Sequence, residues 1–185
     1  MNEMASALSG AWLLARGRAE GLARVGPEPR DAQRSFWAVA LCLPAFLFLR
    51  LLDWAWQGGV PGHAGHAMAL ELMAYVTGWA GFALASRPLV AAMGRLPRWP
   101  LFIAVWNWCN VVQYLLLVAA ALPRLLGAPE WIDQTLGLVA VGWAIWLEWF
   151  AIRVALATGR MQAAALVALD LGIGLALSAV TAGLS

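Results

Sequence analysis

"PLFIAVWNWCNVVQYLLLVAAAL", Pro100–Leu122, is a run of 23 residues without a single charge. At about 1.5 Å per residue, a helix of that length crosses the roughly 30 Å hydrocarbon core of a bilayer. Yet its middle, Trp106–Tyr114, carries Asn107, Asn110 and Gln113, which a wholly lipid-facing helix would exclude. Their amide groups need partners inside the protein.

The rest of the chain repeats the pattern. It is 63% hydrophobic and 12% charged over 185 residues, against about 45–50% and about 25% for a soluble domain. Lipid must therefore take the place of water over much of its surface. Four further runs are long enough to span: Ser35–Trp56, Ala67–Ser86, Ile132–Ile152 and Met161–Gly183. Gly and Pro cluster in the breaks, where they end helices. Unbroken apolar runs of this length lack the roughly 10-residue alternating segments of a membrane barrel. The predicted fold is an all-α integral membrane protein, with residues 31–185 forming a five-helix transmembrane domain. Residues 1–30 form a cytoplasmic or interfacial segment.

That segment reads as an amphipathic interfacial helix. Leu8, Trp12, Ala15, Ala19 and Leu22 share one face of a helical wheel, with Arg16 and Arg18 beside it and Gly10, Gly17 and Gly21 weakening it. The implied partner is the bilayer itself, anionic headgroups included. Asp31 is placed to cap the first span. An acid precedes the apolar part and the arginines follow it, which is the wrong order for a signal peptide.

All twelve basic residues are arginine, a usage that fits a GC-rich bacterial genome and an inner-membrane location. Ten of them (Arg16, Arg18, Arg24, Arg30, Arg34, Arg87, Arg95, Arg98, Arg153 and Arg160) fall on one side of the five spans. The positive-inside rule then puts the N-terminus in the cytoplasm and the C-terminus outside. The net charge of +2 is too small to imply nucleic acid.

Counting rise along each span places Asn107 and Asn110 roughly 10 and 15 Å from the inner edge and Asp170 at roughly 13 Å. Asn107, Asn110, Gln113 and Tyr114 are thus expected to meet Asp170 across an interface of spans three and five. Gly172, Gly174 and Ser178 would permit the close approach. Near the outer edge, Arg50, Asp53 and Glu71 form a second expected cluster, a self-neutralising one. Glu148, about one turn from the inner end of span four, is expected to pair with Arg153 or Arg87. His63 and His66 lie in a Gly-rich loop without a third ligand and read as ordinary loop residues, not a metal site. Cys42 and Cys109 read as small buried hydrophobes. Trp143, Trp146 and Trp149 form a slowly turning stripe suited to helix packing, or alternatively to contact with a pigment.

No phosphate loop, haem site, metalloprotease motif or nucleophile elbow is present, so no catalytic residue and no cofactor is assigned. The expected role is that of a non-enzymatic accessory, assembly or scaffold component of a larger membrane complex, or a homo-oligomer. The alternatives are a small transporter or channel using Asp170, Asn107 and Asn110, and a cofactor- or pigment-contacting subunit.

One family is suggested by "LGLVAVGWAIWLEWFAIRVALATGRMQAAALVALDLGIGLALS", Leu136–Ser178. A Trp-containing apolar helix, a short turn with a small polar step and an Ala/Leu-rich last helix resemble the end of the Yip-domain family. The resemblance extends over about Asp31–Gly183 and implies five spans with a cytoplasmic N-terminus. It also implies interaction or membrane-organising roles without assigned chemistry. The Asp-Leu-Tyr-Gly-Pro motif of eukaryotic members is absent, with "EPRDAQRSFW" (Glu28–Trp37) near its place. Rab-type GTPase binding is therefore not implied.

Overall fold

The computed structural model describes residues 2–56, 58, 59 and 62–184. These residues form seven α-helices in order: α1 (Asn2–Leu14), α2 (Pro29–Ser35), α3 (Trp37–Trp56), α4 (Ala64–Ala92), α5 (Trp99–Leu125), α6 (Glu130–Leu156) and α7 (Arg160–Leu184). Among the described residues there is no strand, and five helical stretches are long and apolar enough to cross a membrane. The first of these joins α2 to α3 through a bend at Phe36.

The helix ends follow local chemistry. Glycines at positive φ (Gly17, Gly94 and Gly127) sit just past α1, α4 and α5. There the chain turns back to close a six-to-one bond, as in Arg95 N–H to the Val90 carbonyl at 3.0 Å. Because this closure lies at Gly94, α4 runs past Pro88 to Ala92, six residues beyond the end expected at Ser86. Ala157 ends α6 in the same left-handed conformation without being glycine. Glu28 and Asp31 form a reciprocal capping box around Pro29, so Asp31 serves the start of α2 as the third helical residue.

Helix α5 is the centre. Phe102–Cys109 are all buried, about two turns with no face left for lipid. Helices α2, α3 and α6 pack along α5, and α1 lies against its first half. The N-terminal segment is therefore a collar around α5, and its helix is shorter than expected. It ends at Leu14, and Ala19 and Leu22 belong to a separate 3-10 turn, Ala19–Arg24. The buried stripe is Ala7, Ala11 and Leu14, with the expected Ala15 buried just past the helix end and the expected Leu8 half-buried against the core. Trp12 stays outside, 52% exposed, with the Arg16 guanidinium over its ring at 4.9 Å. Small side chains win the inner face because the contact is too close for tryptophan.

The tightest point is where α1 meets the 3-10 turn. A Cβ on Gly21 would stand 2.3 Å from the Gly10 carbonyl oxygen, and one on Gly10 would stand 2.6 Å from that of Gly21. Glycines expected to weaken the helix are what let it dock. Arg24 donates to Ser9 Oγ at 2.9 Å, and Arg34 pairs with Glu3, tying the collar together.

Asn107 belongs to this collar. Its side chain is fully buried and donates through Nδ2 to Ser35 Oγ at 2.7 Å, while Ser35 donates to the Ala32 carbonyl at 2.7 Å. The expected contact between Asn107 and Asp170 is not made. Asn107 lies about 100° round the helix from Trp106 and turns to Ser35, on the side of α5 away from α7.

Two outcomes test this packing. Gly21→Ala is expected to destabilise the protein by about 1–3 kcal/mol through overpacking, whereas Gly172→Ala, whose Cβ meets nothing within 4 Å, is expected to be neutral or slightly stabilising. Thermal melts in detergent distinguish the two. Ser35→Ala leaves the Asn107 amide without its partner and is expected to cost about 1–3 kcal/mol in the same assay.

Candidate functional site

Helix α7 leans on α4 and α6 rather than on α5. The close approach comes from α4, where Gly78 and Gly81 face Leu177 and Ile173 of α7. Gly172 and Gly174, expected to draw α7 onto α5, face open space: a Cβ on either would meet nothing within 4 Å. What remains between α7, α4 and the inner helices is a cavity of about 520 Å³ bounded by α3 to α7.

Helical spacing supplies its walls. Trp106, Asn110, Gln113 and Leu117 form one stripe of α5, and Val141, Ala144, Ile145 and Glu148 one stripe of α6. On α7, Asp170, Gly174, Leu177 and Thr181 do the same. Asn107, about 100° round from Trp106 on the helix, turns to the collar instead.

At the inner end of the cavity, the carboxyl groups of Glu148 and Asp170 are neighbours, with the Trp106 indole beside both. Glu148 is only 6% exposed, and its Oε1 has no hydrogen-bond partner among the described residues. The pairing expected with Arg153 or Arg87 is not made. Arg153 lies over the Trp149 ring at 5.4 Å, and Arg87 is exposed. Glu148 sits two turns before the end of α6, which continues to Leu156, so it is too deep for a guanidinium at the helix end.

The amides higher up are spoken for by backbone. Asn110 donates to the Trp106 carbonyl at 3.1 Å, and Gln113 donates across to Ala144 on α6 at 3.0 Å. The Tyr75 hydroxyl donates to the Val39 carbonyl at 2.7 Å, and its ring meets that of Tyr114 edge-on at 6.4 Å. Toward the other end, Arg50 binds Glu71 at 2.6 Å and Asp53 at 3.2 Å, which brings the three expected members of that cluster together. Arg50 and Glu71 also line the cavity.

Of the residues singled out in the sequence, Asn110, Gln113, Tyr114 and Asp170 share the cavity, Glu148 joins them, and Asn107 does not. Trp79 and Trp106 were missed as wall residues. Their rings meet at 5.1 Å, and the signal for Trp106 was its place four residues before Asn110. Cys42 and Cys109 are buried free thiols. His63 and His66 are exposed, and among the described residues no three His, Cys, Asp or Glu side chains gather to hold a metal ion. The tryptophan stripe divides: Trp146 stacks on Phe150 at 5.6 Å and covers Gly17, while Trp149 donates to the Arg160 carbonyl at 3.1 Å.

No curated protein and no solved structure matches this sequence. The Yip1 domain family model does, over residues 18–181, from the turn after α1 through most of α7. That match covers the central helix, the cavity and the part of the collar that follows α1, and the chain belongs to the Yip1 domain family of membrane proteins.

Proposed function

We propose that this protein is a non-enzymatic membrane protein that holds a small molecule between α4, α7 and the inner helices, as the first step of moving it within or across the bilayer. One observation carries the reading: the buried, unpartnered Glu148 faces a cavity of about 520 Å³. A cluster serving only to glue helices would be packed, with no space of that size beside it. Pockets of roughly 300–1,000 Å³ accommodate drug-sized ligands. The arginine tally supports an inner-membrane orientation with the collar in the cytoplasm.

The neutral fluorophore N-phenylnaphthylamine, which brightens in apolar surroundings, tests the cavity in nanodiscs. Binding above that of empty nanodiscs is expected for the wild type. Gly174→Phe, which fills the cavity without touching an acid, is expected to weaken it about tenfold or more while leaving the melting temperature unchanged or higher, since glycine is a poor helix former. Equal signals from both proteins and from empty nanodiscs would remove the reading.

A second reading, an accessory or scaffold component of a larger membrane complex, is supported by the collar, which exposes Arg16, Arg18, Arg24, Arg30 and Arg34 at one end of the bundle. That surface suits anionic headgroups or an acidic partner. If it serves a partner, purification in mild detergent followed by mass spectrometry is expected to recover one stoichiometric companion, which is lost on replacing Arg16, Arg18 and Arg30 with glutamine while Arg24 and Arg34 keep the collar tied. Recovery of the chain alone counts against it.

A further inference from the structure

We propose that the cavity is selective for an organic cation, an ammonium group on an apolar body. This rests on the cavity reading above and adds the chemistry of its occupant.

The charges inside the cavity do not cancel. Among the described residues, Arg50 is the only guanidinium lining it, and Glu71 and Asp53 already hold that group. Glu148 and Asp170, at the other end, make no ion pair among the described residues. Two neighbouring carboxyl groups in a low-dielectric interior repel each other when ionised, and each carries a desolvation cost. A positive charge placed between them relieves both. The unpartnered Oε1 of Glu148, on a side chain more than nine-tenths buried, is the acceptor such a group would meet first.

The walls select which cation. Trp106 stands beside both acids, and Trp79 meets it at 5.1 Å with the rings inclined by 62°. Aromatic faces attract ammonium groups, most strongly where water is excluded. A bare metal ion is disfavoured, since it would need three or more ligands that do not gather among the described residues, and the space is far larger than an ion. An anion would meet carboxyl groups. A neutral apolar molecule would leave the buried Glu148 oxygen unpaired, a cost that a cation removes. The remaining walls, among them Ile145, Ile173 and Leu177, suit the hydrocarbon part of the molecule.

Protons and an ammonium group compete for the same two carboxyl groups, so acidification should weaken cation binding. The other titratable or charged groups facing this space are few. Helix α5 contributes Cys109 beside Glu148 and Tyr114 beside Asp170. Helix α4 contributes Tyr75 and Glu71, and α3 contributes Arg50 and, near Tyr114, Cys42.

Displacement of N-phenylnaphthylamine by 2-phenylethylammonium, whose N–H groups can donate to the Glu148 oxygen, and by its uncharged isostere propylbenzene, reads the selectivity directly. The expected wild-type result is a preference for the ammonium of about tenfold or more. That preference should shrink as the pH is lowered, because protons compete with the ammonium for the carboxyl groups. Glu148→Gln and Asp170→Asn are each expected to keep dye binding, which reports an intact cavity, and to lose the preference. Equal displacement by both compounds in the wild type, or a preference that survives both substitutions, overturns the proposal and leaves the cavity standing. Absence of dye binding in the wild type instead overturns the cavity reading on which it rests.

Discussion

Phe102–Cys109 of α5 are covered on every side, and the hydrogen bond from Asn107 to Ser35 lies within that cover. In a bilayer, helices gain little from hiding apolar surface, because lipid tails are as apolar as leucine. Close packing and polar bonds between helices must hold them instead. The collar meets that requirement with the Gly10–Gly21 contact, the capping box at Glu28 and Asp31, and the Asn107–Ser35 bond. With α5 fixed by the collar, α6 packs along it, and α7 follows α6.

The cavity is the consequence of that order. Helix α7 is held from the sides by α4 and α6, and its glycines face open space rather than α5. Aromatic side chains bridge from α4 to α5 where their backbones do not meet closely: Phe82 lies 4.5 Å from Trp106 and 5.9 Å from Phe102, ring centre to centre. These contacts hold the cavity open while filling the space on its inner side. The same arrangement leaves Glu148 and Asp170 side by side, with the Trp106 indole beside both.

The end of the bundle where Arg50 lies obeys a different rule. There ion pairs form: Arg50 with Asp53 and Glu71, and Arg124 with Asp133 at 3.2 Å while its guanidinium covers the Trp56 ring at 3.8 Å. Charges that can reach one another neutralise locally. Those at the opposite end of the cavity do not, because Glu148 lies two turns before the end of α6, where Arg153 covers the Trp149 ring and Arg98 donates to the Ala155 carbonyl at 3.3 Å. The contrast between a closed charge cluster and an open one within one protein is the ground for the binding role proposed for Glu148 and Asp170.

The sequence by itself determined the class, the five spans and the clustering of Arg50, Asp53 and Glu71, because hydropathy, helix rise and arginine placement are one-dimensional signals that lipid enforces. It also carried the family, through the texture of the last two spans. It did not determine the face of α5 that Asn107 occupies, the face α1 buries, or the partners of Asn107 and Glu148. An apolar residue reads the same whether lipid or protein covers it. Nothing in the run therefore showed that Phe102–Cys109 are covered on every side. Only the tertiary structure decided that Asn107 turns to the collar, that Glu148 meets Asp170, and that α7 stands off from α5, since those outcomes depend on which helices touch.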